Sequence, residues 1–179
     1  MKPIKDHTKW MFAEAILEII KTKELSKIRI TELCEYCNTD RQIFYYHFKD
    51  KYDLVAWIYQ NDFNDSLKKC NSPVSKEIIL FLLYRIKEKQ FFYQKAFKNT
   101  NQNSLFTYIQ NVNYKVTVDL FKKEFQSDEL TEQQLFTIKY HSYAWVGCLA
   151  EWIATKCTPS PEIYADFLYH ISYLMQEHL

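Results

Sequence analysis

The sequence predicts an all-α fold of about nine helices, with a small N-terminal head and a larger C-terminal body. Only one Gly and four Pro occur in 179 residues. Strands joined by tight turns would need more of both, so long helices with short connections are favoured. Aromatic residues make up 17% of the chain and charged ones 25%, enough large side chains for a core and enough polar ones for a surface. Apolar residues recur at i, i+3, i+4 and i+7 instead of alternating, the period of a helix with one buried stripe. The length suits one compact body, or a small head fused to a larger one.

Each element has its own signal. The first helix is expected from about Thr8 to Lys23, where Trp10, Ala13, Ile16, Leu17 and Ile20 form one stripe. Leu25 to Arg29 reads as a connector. A second helix, roughly 31–37, opens with Thr31 as its cap and carries Leu33, Cys34 and Cys37 on a short apolar face. Asn38 follows, and Asn is, after Gly, the residue most tolerant of the left-handed conformation that ends a helix. Thr39 or Asp40 can cap a third helix, about 40–46, in which Phe44 and Phe48 lie one turn apart and face inward. Asp50 is placed to cap a fourth, from Lys51 to about Lys69, with Leu54, Trp57, Ile58 and Phe63 on it.

Asn71-Ser72-Pro73 breaks the chain before a fifth helix, about 74–89, since Pro is tolerated only near a helix start. A sixth, about 90–98, holds Phe91, Phe92, Tyr93 and Phe97; after a polar break at 99–103 a seventh runs over about 104–125. Thr131 with Gln134 has capping-box spacing and opens an eighth helix to about Thr155. Ser160-Pro161 opens the ninth, to about Glu177. The apolar face of the eighth includes Tyr140, Tyr143, Ala144, Gly147, Cys148, Ala150 and Ile153, and that of the ninth Phe167, Leu168, Ile171 and Leu174. The small residues among them allow helices to approach closely, inside one subunit or between two.

Composition excludes several classes. No run of about 18 apolar residues is present, so no transmembrane span is expected. The start, Met-Lys-Pro-Ile-Lys-Asp-His-Thr, lacks an apolar signal region. Five cysteines, an odd number, are scattered among apolar helical positions and do not read as a disulfide frame. A reduced, cytoplasmic protein is the expectation. The net charge is +1; residues 1–51 hold ten Lys/Arg against eight Asp/Glu, or +2, and residues 52–179 thirteen against fourteen, or −1. So weak a bias does not by itself indicate nucleic acid. There is no glycine-rich phosphate loop, no G-x-S-x-G and no H-E-x-x-H, and the carboxylates are mostly mixed with Lys as on solvated faces. No enzyme activity, no catalytic residue and no cofactor is expected.

The informative segment is Ile30 to Phe48, a helix-turn-helix whose second helix is rich in aromatic and hydrogen-bonding side chains. With Phe44 and Phe48 inward, Arg41, Gln42, Tyr45, Tyr46 and His47 occupy the other faces, a set suited to base edges and phosphates. This segment resembles the TetR family of bacterial transcriptional regulators. The matching positions are Thr31, Leu33-Cys34, Cys37-Asn38-Thr39-Asp40 through the turn, the Tyr45-Tyr46-His47-Phe48 box, and Lys51 three residues on. The resemblance covers roughly the first 55 residues. It departs in Cys for Ala twice, Asn for the turn Gly, Asp for the capping Ser, and Ile43 where Thr is common. Asn and Asp keep the physical roles they replace; Ile43 cannot donate to a phosphate, though it could meet a thymine methyl.

The resemblance implies an N-terminal DNA-binding domain, residues 1–52, and a regulatory and dimerisation domain, residues 53–179. It implies a homodimer on a double-stranded DNA operator, with the last two helices of each subunit forming the interface. Tyr45, His47 and Lys51 correspond to the family's phosphate clamp; His47 could instead pack beneath the fourth helix. Thr31, at a helix N-terminus, is either a phosphate ligand or a plain cap, or both. Arg41 suits guanine O6/N7 and Gln42 adenine N6/N7, unless both simply face solvent; Tyr46 could touch a base or sugar. Beyond the head, the aromatic stretches around Trp57–Phe63, Phe91–Phe97 and Trp152 look like a Gram-positive subgroup that contains activators of dihydroxyacetone kinase operons.

Control by a small effector in the C-terminal domain is the leading expectation, with a protein coactivator as the alternative. Zinc responsiveness is the weakest reading. Cys34 and Cys37 have C-x-x-C spacing but fill the family's two core Ala positions, with no second ligand pair nearby. His141, Cys148, Cys157, His170 and His178 could converge only at the C-terminal end. No metal ligand is therefore assigned.

Overall fold

The computed structural model describes residues 4–68, 75–98 and 104–177, and every regular element among them is helical. In chain order these are α1 (Ile4–Ile19), α2 (Ile30–Tyr36), α3 (Arg41–His47), α4 (Lys51–Leu67), α5 (Lys76–Glu88), α6 (Gln90–Phe97), α7 (Leu105–Glu124), α8 (Glu132–Ala154) and α9 (Pro161–Glu177). A single 3₁₀ turn, Leu25–Lys27, lies in the expected connector. The breaks read at 71–73 and 99–103 lie outside the described residues, as does His178.

Helices α1 to α3 pack around Phe12. Its ring meets Phe44 edge-on at 5.1 Å and Phe48 at 6.4 Å, and Phe48 meets Trp57 of α4 at 5.9 Å. The inward pair Phe44 and Phe48 thus fixes the rotation of α3 and hands it on to α4. The turn between α2 and α3 closes as its sequence predicts. Asn38 has φ +48°, its N–H reaches Glu35 O at 3.1 Å, and the Thr39 N–H reaches Cys34 O at 3.0 Å. That double bond satisfies carbonyls that a helix end leaves open.

Two helix starts differ from expectation. Helix α1 begins at Ile4, ahead of Thr8. Thr31 is not the cap of α2: Arg29 holds that position, and Thr31 is the second residue inside the helix. The Glu32 carboxylate reaches back to the Arg29 N–H at 3.4 Å and also takes Lys23 at 2.7 Å, so an acidic third residue fixes the first turn without a hydroxyl cap. Asp40 holds the cap position of α3, but its side chain makes no capping hydrogen bond. Asp50, by contrast, caps α4 as expected, accepting from Tyr52 N–H at 2.8 Å and Asp53 N–H at 2.9 Å.

The body is built from α5 against α9 and α4, and α7 against α8. Ser75 and Ser104 cap α5 and α7, accepting from the N–H groups of Ile78 and Thr107. Thr131 and Gln134 exchange bonds as a capping box: the Gln134 N–H reaches Thr131 Oγ1 at 3.2 Å and the Thr131 N–H reaches Gln134 Oε1 at 2.9 Å. The chain's one glycine lies inside α8, so the left-handed positions after α7 and α8 fall to Gln126 (φ +49°) and Lys156 (φ +59°).

The eighth helix corrects the sequence reading. Its buried face is Ile138, Ser142, Val146, Leu149, Trp152 and Ile153. Tyr140, Tyr143, Ala144 and Cys148, expected on the same face as Ile153, point outward, and Ala150 and Gly147 are half-buried. A helix apolar on two sides gives one continuous hydrophobic signal, and period alone does not say which side the protomer covers. On α9, Ala165 and Leu168 are buried, whereas Phe167 and Ile171 are exposed.

Polar contacts of Asp62 and Lys95 help to tie α4 and the head to the body. Asp62 of α4, 1% exposed, accepts from the Tyr93 hydroxyl at 2.6 Å and from the Lys89 ammonium at the α5–α6 corner. Lys95 of α6 donates to the carbonyls of Ile20 and Lys23, just past the end of α1. No helix among the described residues is long and apolar enough to cross a membrane.

Candidate functional site

Helix α3 presents its polar residues outward. Arg41, Gln42 and Ile43 are exposed, and so are Tyr45 and Tyr46, at 55% and 68%. His47 is half-buried, with its ring 5.0 Å from Tyr46 and 6.5 Å from Phe48. His47 thus lies between the exposed face of α3 and the aromatic core.

A shallow depression of about 390 Å³ joins the α2 and α3 starts to the α4 start. Thr31, Arg41, Tyr45 and Lys51 line it together, with Arg29 beside them. Gln42 and Tyr46 lie outside it. Sequence reasoning missed Arg29, whose signal was a basic residue immediately before the first turn of α2. The depression holds three cationic side chains, and its one carboxylate, Asp50, already accepts two backbone N–H groups. Thr31 is exposed there although it is not the cap.

Lys51 is more deeply engaged than its sequence position suggests. Its ammonium donates to Ser26 O at 2.7 Å and Ile28 O at 2.8 Å, and burial lowers its pKa from the usual lysine value. It therefore braces the connector between α1 and α2 from the first residue of α4. An ammonium has three donors, so two carbonyls leave one hydrogen for an anion at the rim.

Cys34 and Cys37 serve the core of the head. Cys34 is buried, and the Cys37 thiol faces Met11 O at 3.4 Å. Burial pushes both thiols up, Cys37 to about 11, the behaviour of inert packing sulfurs. Among the described residues no three His, Cys, Asp or Glu side chains come together in a way that could hold a metal, and this includes His141, Cys148, Cys157 and His170.

A second feature lies in the body. A partly enclosed cavity of about 110 Å³ is bounded by α4, α5, α7, α8 and α9. Phe63, Ile79, Val116 and Leu120 give it an apolar wall, and Asn113, His141 and Ser172 add polar groups. Burial lowers the pKa of His141, which favours the neutral imidazole. Trp145 and Phe63 of α4 line the cavity together, so one cavity wall belongs to the helix that begins at the head.

The model of a transcriptional regulator C-terminal region, of the TetR type, matches residues 74–173, more than half of the chain. The chain belongs to the TetR family of transcriptional regulators. DhaS of Lactococcus lactis, described as an HTH-type transcriptional activator of the dhaKLM operon, is 31% identical over 121 residues, which span 65% of this chain. The chain covers 64% of that relative's length. Among solved structures, the dihydroxyacetone kinase operon activator DhaS aligns with a TM-score of 0.63 at 23% identity, covering 96% of this chain and 95% of that one. A TetR transcriptional regulator from a Rhodococcus species gives 0.55 at 13% identity, with 93% and 96% covered. At these identities the two structures speak to fold alone: this TetR-family chain has the helical architecture of both.

Proposed function

We propose that this TetR-family regulator binds a double-stranded operator as a homodimer and is controlled by a small effector held in the body cavity. The observation that carries the DNA reading is the depression where Thr31, Arg41, Tyr45 and Lys51 meet beside the exposed face of α3. Arg29, Thr31, Tyr45, His47 and Lys51 would then hold phosphates, while Arg41, Gln42 and Tyr46 would meet base edges. In this division residues 1–52 read DNA and residues 53–179 regulate and dimerise.

The dimer reading is supported by the outward stripes of the last two helices. On α8, Phe136 (69% exposed), Tyr140, Tyr143, Ala144 and Gly147 follow helical spacing, and on α9 so do Ile163, Phe167 and Ile171. Contiguous apolar faces of this kind are costly to leave in water and mark interfaces. The effector reading is supported by the cavity and its wall at α4. A ligand that fits only one position of α4 would shift the head's orientation by the difference in its affinity for the two states.

The test is fluorescence anisotropy on duplexes selected from a random pool, alongside sedimentation of the free protein. Dimers in solution and binding that rises steeply as salt falls support the proposal. Monomers without duplex affinity at low salt refute it. A protein coactivator in place of a small ligand is the second reading, favoured by the exposed Phe91 at the start of α6, outside the stripes of α8 and α9. Phe91→Ser would then abolish regulation in cells while leaving the dimer and its operator affinity intact.

A further inference from the structure

Two residues that line the body cavity each carry a buried polar atom with nothing to bond. Asn113 Oδ1 and His141 Nδ1 are both shielded from solvent and lack a hydrogen-bond partner. A buried polar atom in a native structure is almost always paired, so two exceptions lining one cavity point to a ligand that completes them.

The chemistry of each atom can be assigned. The Ser172 hydroxyl donates its only hydrogen to Leu168 O at 2.9 Å. Ser172 Oγ can then act only as an acceptor toward His141 Nε2, 3.5 Å away. The imidazole hydrogen therefore sits on Nε2, and Nδ1 carries a lone pair. Burial favours the neutral ring, which leaves one of its two nitrogens without a hydrogen. Asn113 Oδ1 is likewise an acceptor. Both open positions thus ask for a hydrogen.

The remaining wall excludes charge. No Lys, Arg, Asp or Glu is among the lining residues, so neither a carboxylate nor an ammonium would find a counter-charge there. The volume of about 110 Å³ is somewhat below the roughly 150 Å³ apolar cavity that accommodates benzene. A ligand body of about one small ring fits, with any further substituent leaving through the open side.

We infer that the cavity takes a small uncharged molecule with an apolar body and two hydrogen-bond donors, such as a dihydroxy-substituted ring or short hydrocarbon, seated on Asn113 Oδ1 and His141 Nδ1. This rests on the effector reading of the cavity.

The test is calorimetry on the full-length protein with the three isomeric dihydroxybenzenes, toluene, and benzoate as probes. At least one dihydroxybenzene should bind ten-fold or more tightly than toluene, and benzoate should not bind measurably. Asn113→Leu and His141→Leu should each erase that preference while toluene still binds. Equal affinity for toluene and all three diols would overturn the ligand class but leave the cavity as the effector site. Preferred binding of benzoate would overturn it too. No saturable binding of any probe at millimolar concentration would sink the effector reading along with it. The wild-type comparison of diols with toluene decides the class even if neither variant folds.

Discussion

The Lys95 ammonium of α6 lies 2.8 Å from the carbonyl oxygen of Ile20, just beyond α1, and 3.0 Å from that of Lys23. A side chain of the body thus closes the end of a head helix, where carbonyls have no partner within the helix. Lys95→Met keeps the apolar stem and removes the donors. It should cost about 1.5–3 kcal/mol, the usual range for a hydrogen bond to a charged group. Amide exchange around Ile20 to Lys23 should quicken. Unchanged stability in denaturant titrations would mean that water replaces the ammonium without loss.

Asp62 anchors α4 to the α5–α6 corner through Lys89 and Tyr93. Asp62→Ala would leave a mostly buried ammonium and a buried phenol without their acceptor. A loss of about 3–5 kcal/mol is expected, as for other buried pairs broken from one side. Asp62→Asn, which keeps one oxygen, should cost less. If both variants unfold at the wild-type denaturant midpoint, the network does not hold α4.

At the head, Arg41→Ala should cost about 1–3 kcal/mol and relax specificity at one base pair per half-site. Equal weakening on every sequence would make Arg41 a phosphate contact instead. Lys51→Ala should weaken specific and non-specific binding alike and reduce the salt slope by roughly one. Because Lys51 also holds Ser26 O and Ile28 O, the same variant should melt earlier. A lower melting temperature with an unchanged salt slope would leave Lys51 as a brace only.

Much of this was legible in the sequence because local rules governed it. Asn38 in the left-handed region, Asp50 as a cap, the Thr131–Gln134 box and the inward Phe44–Phe48 pair each follow from a few neighbouring residues. What was not legible depends on distant partners. The cap of α2 falls on Arg29 and not Thr31, and the Glu32 that reaches back to it is also held by Lys23, nine residues away. The outward face of α8 could not be told from its inward one until Ile138, Val146 and Trp152 met the other helices. The meeting of Asn113 with His141 at one cavity joins two helices that no spacing rule connects.

Gly147 tests the proposed interface. A Cβ built there meets no atom of a neighbouring element within 4 Å, so it does not mark a close approach of α8 and α9 inside the protomer. Gly147→Leu should therefore leave the protomer fold intact and clash only across a dimer, by about 1–3 kcal/mol. Light scattering should show a weaker dimer, and Cys148, exposed one residue on, should change from alkylation-protected to reactive. A full-strength dimer with Cys148 reactive in the wild type would place the interface elsewhere.

The most direct measurement is the stoichiometry and symmetry of the DNA complex. Duplexes selected from a random pool by the wild-type protein should share an approximately palindromic site, with half-sites about one helical turn or a multiple of it apart. Each duplex should carry two chains, or a multiple of two, in sedimentation of the complex, and Arg41→Ala should flatten one position in each half-site. Enrichment of no common sequence, or a single chain bound to a site without symmetry, would contradict the account.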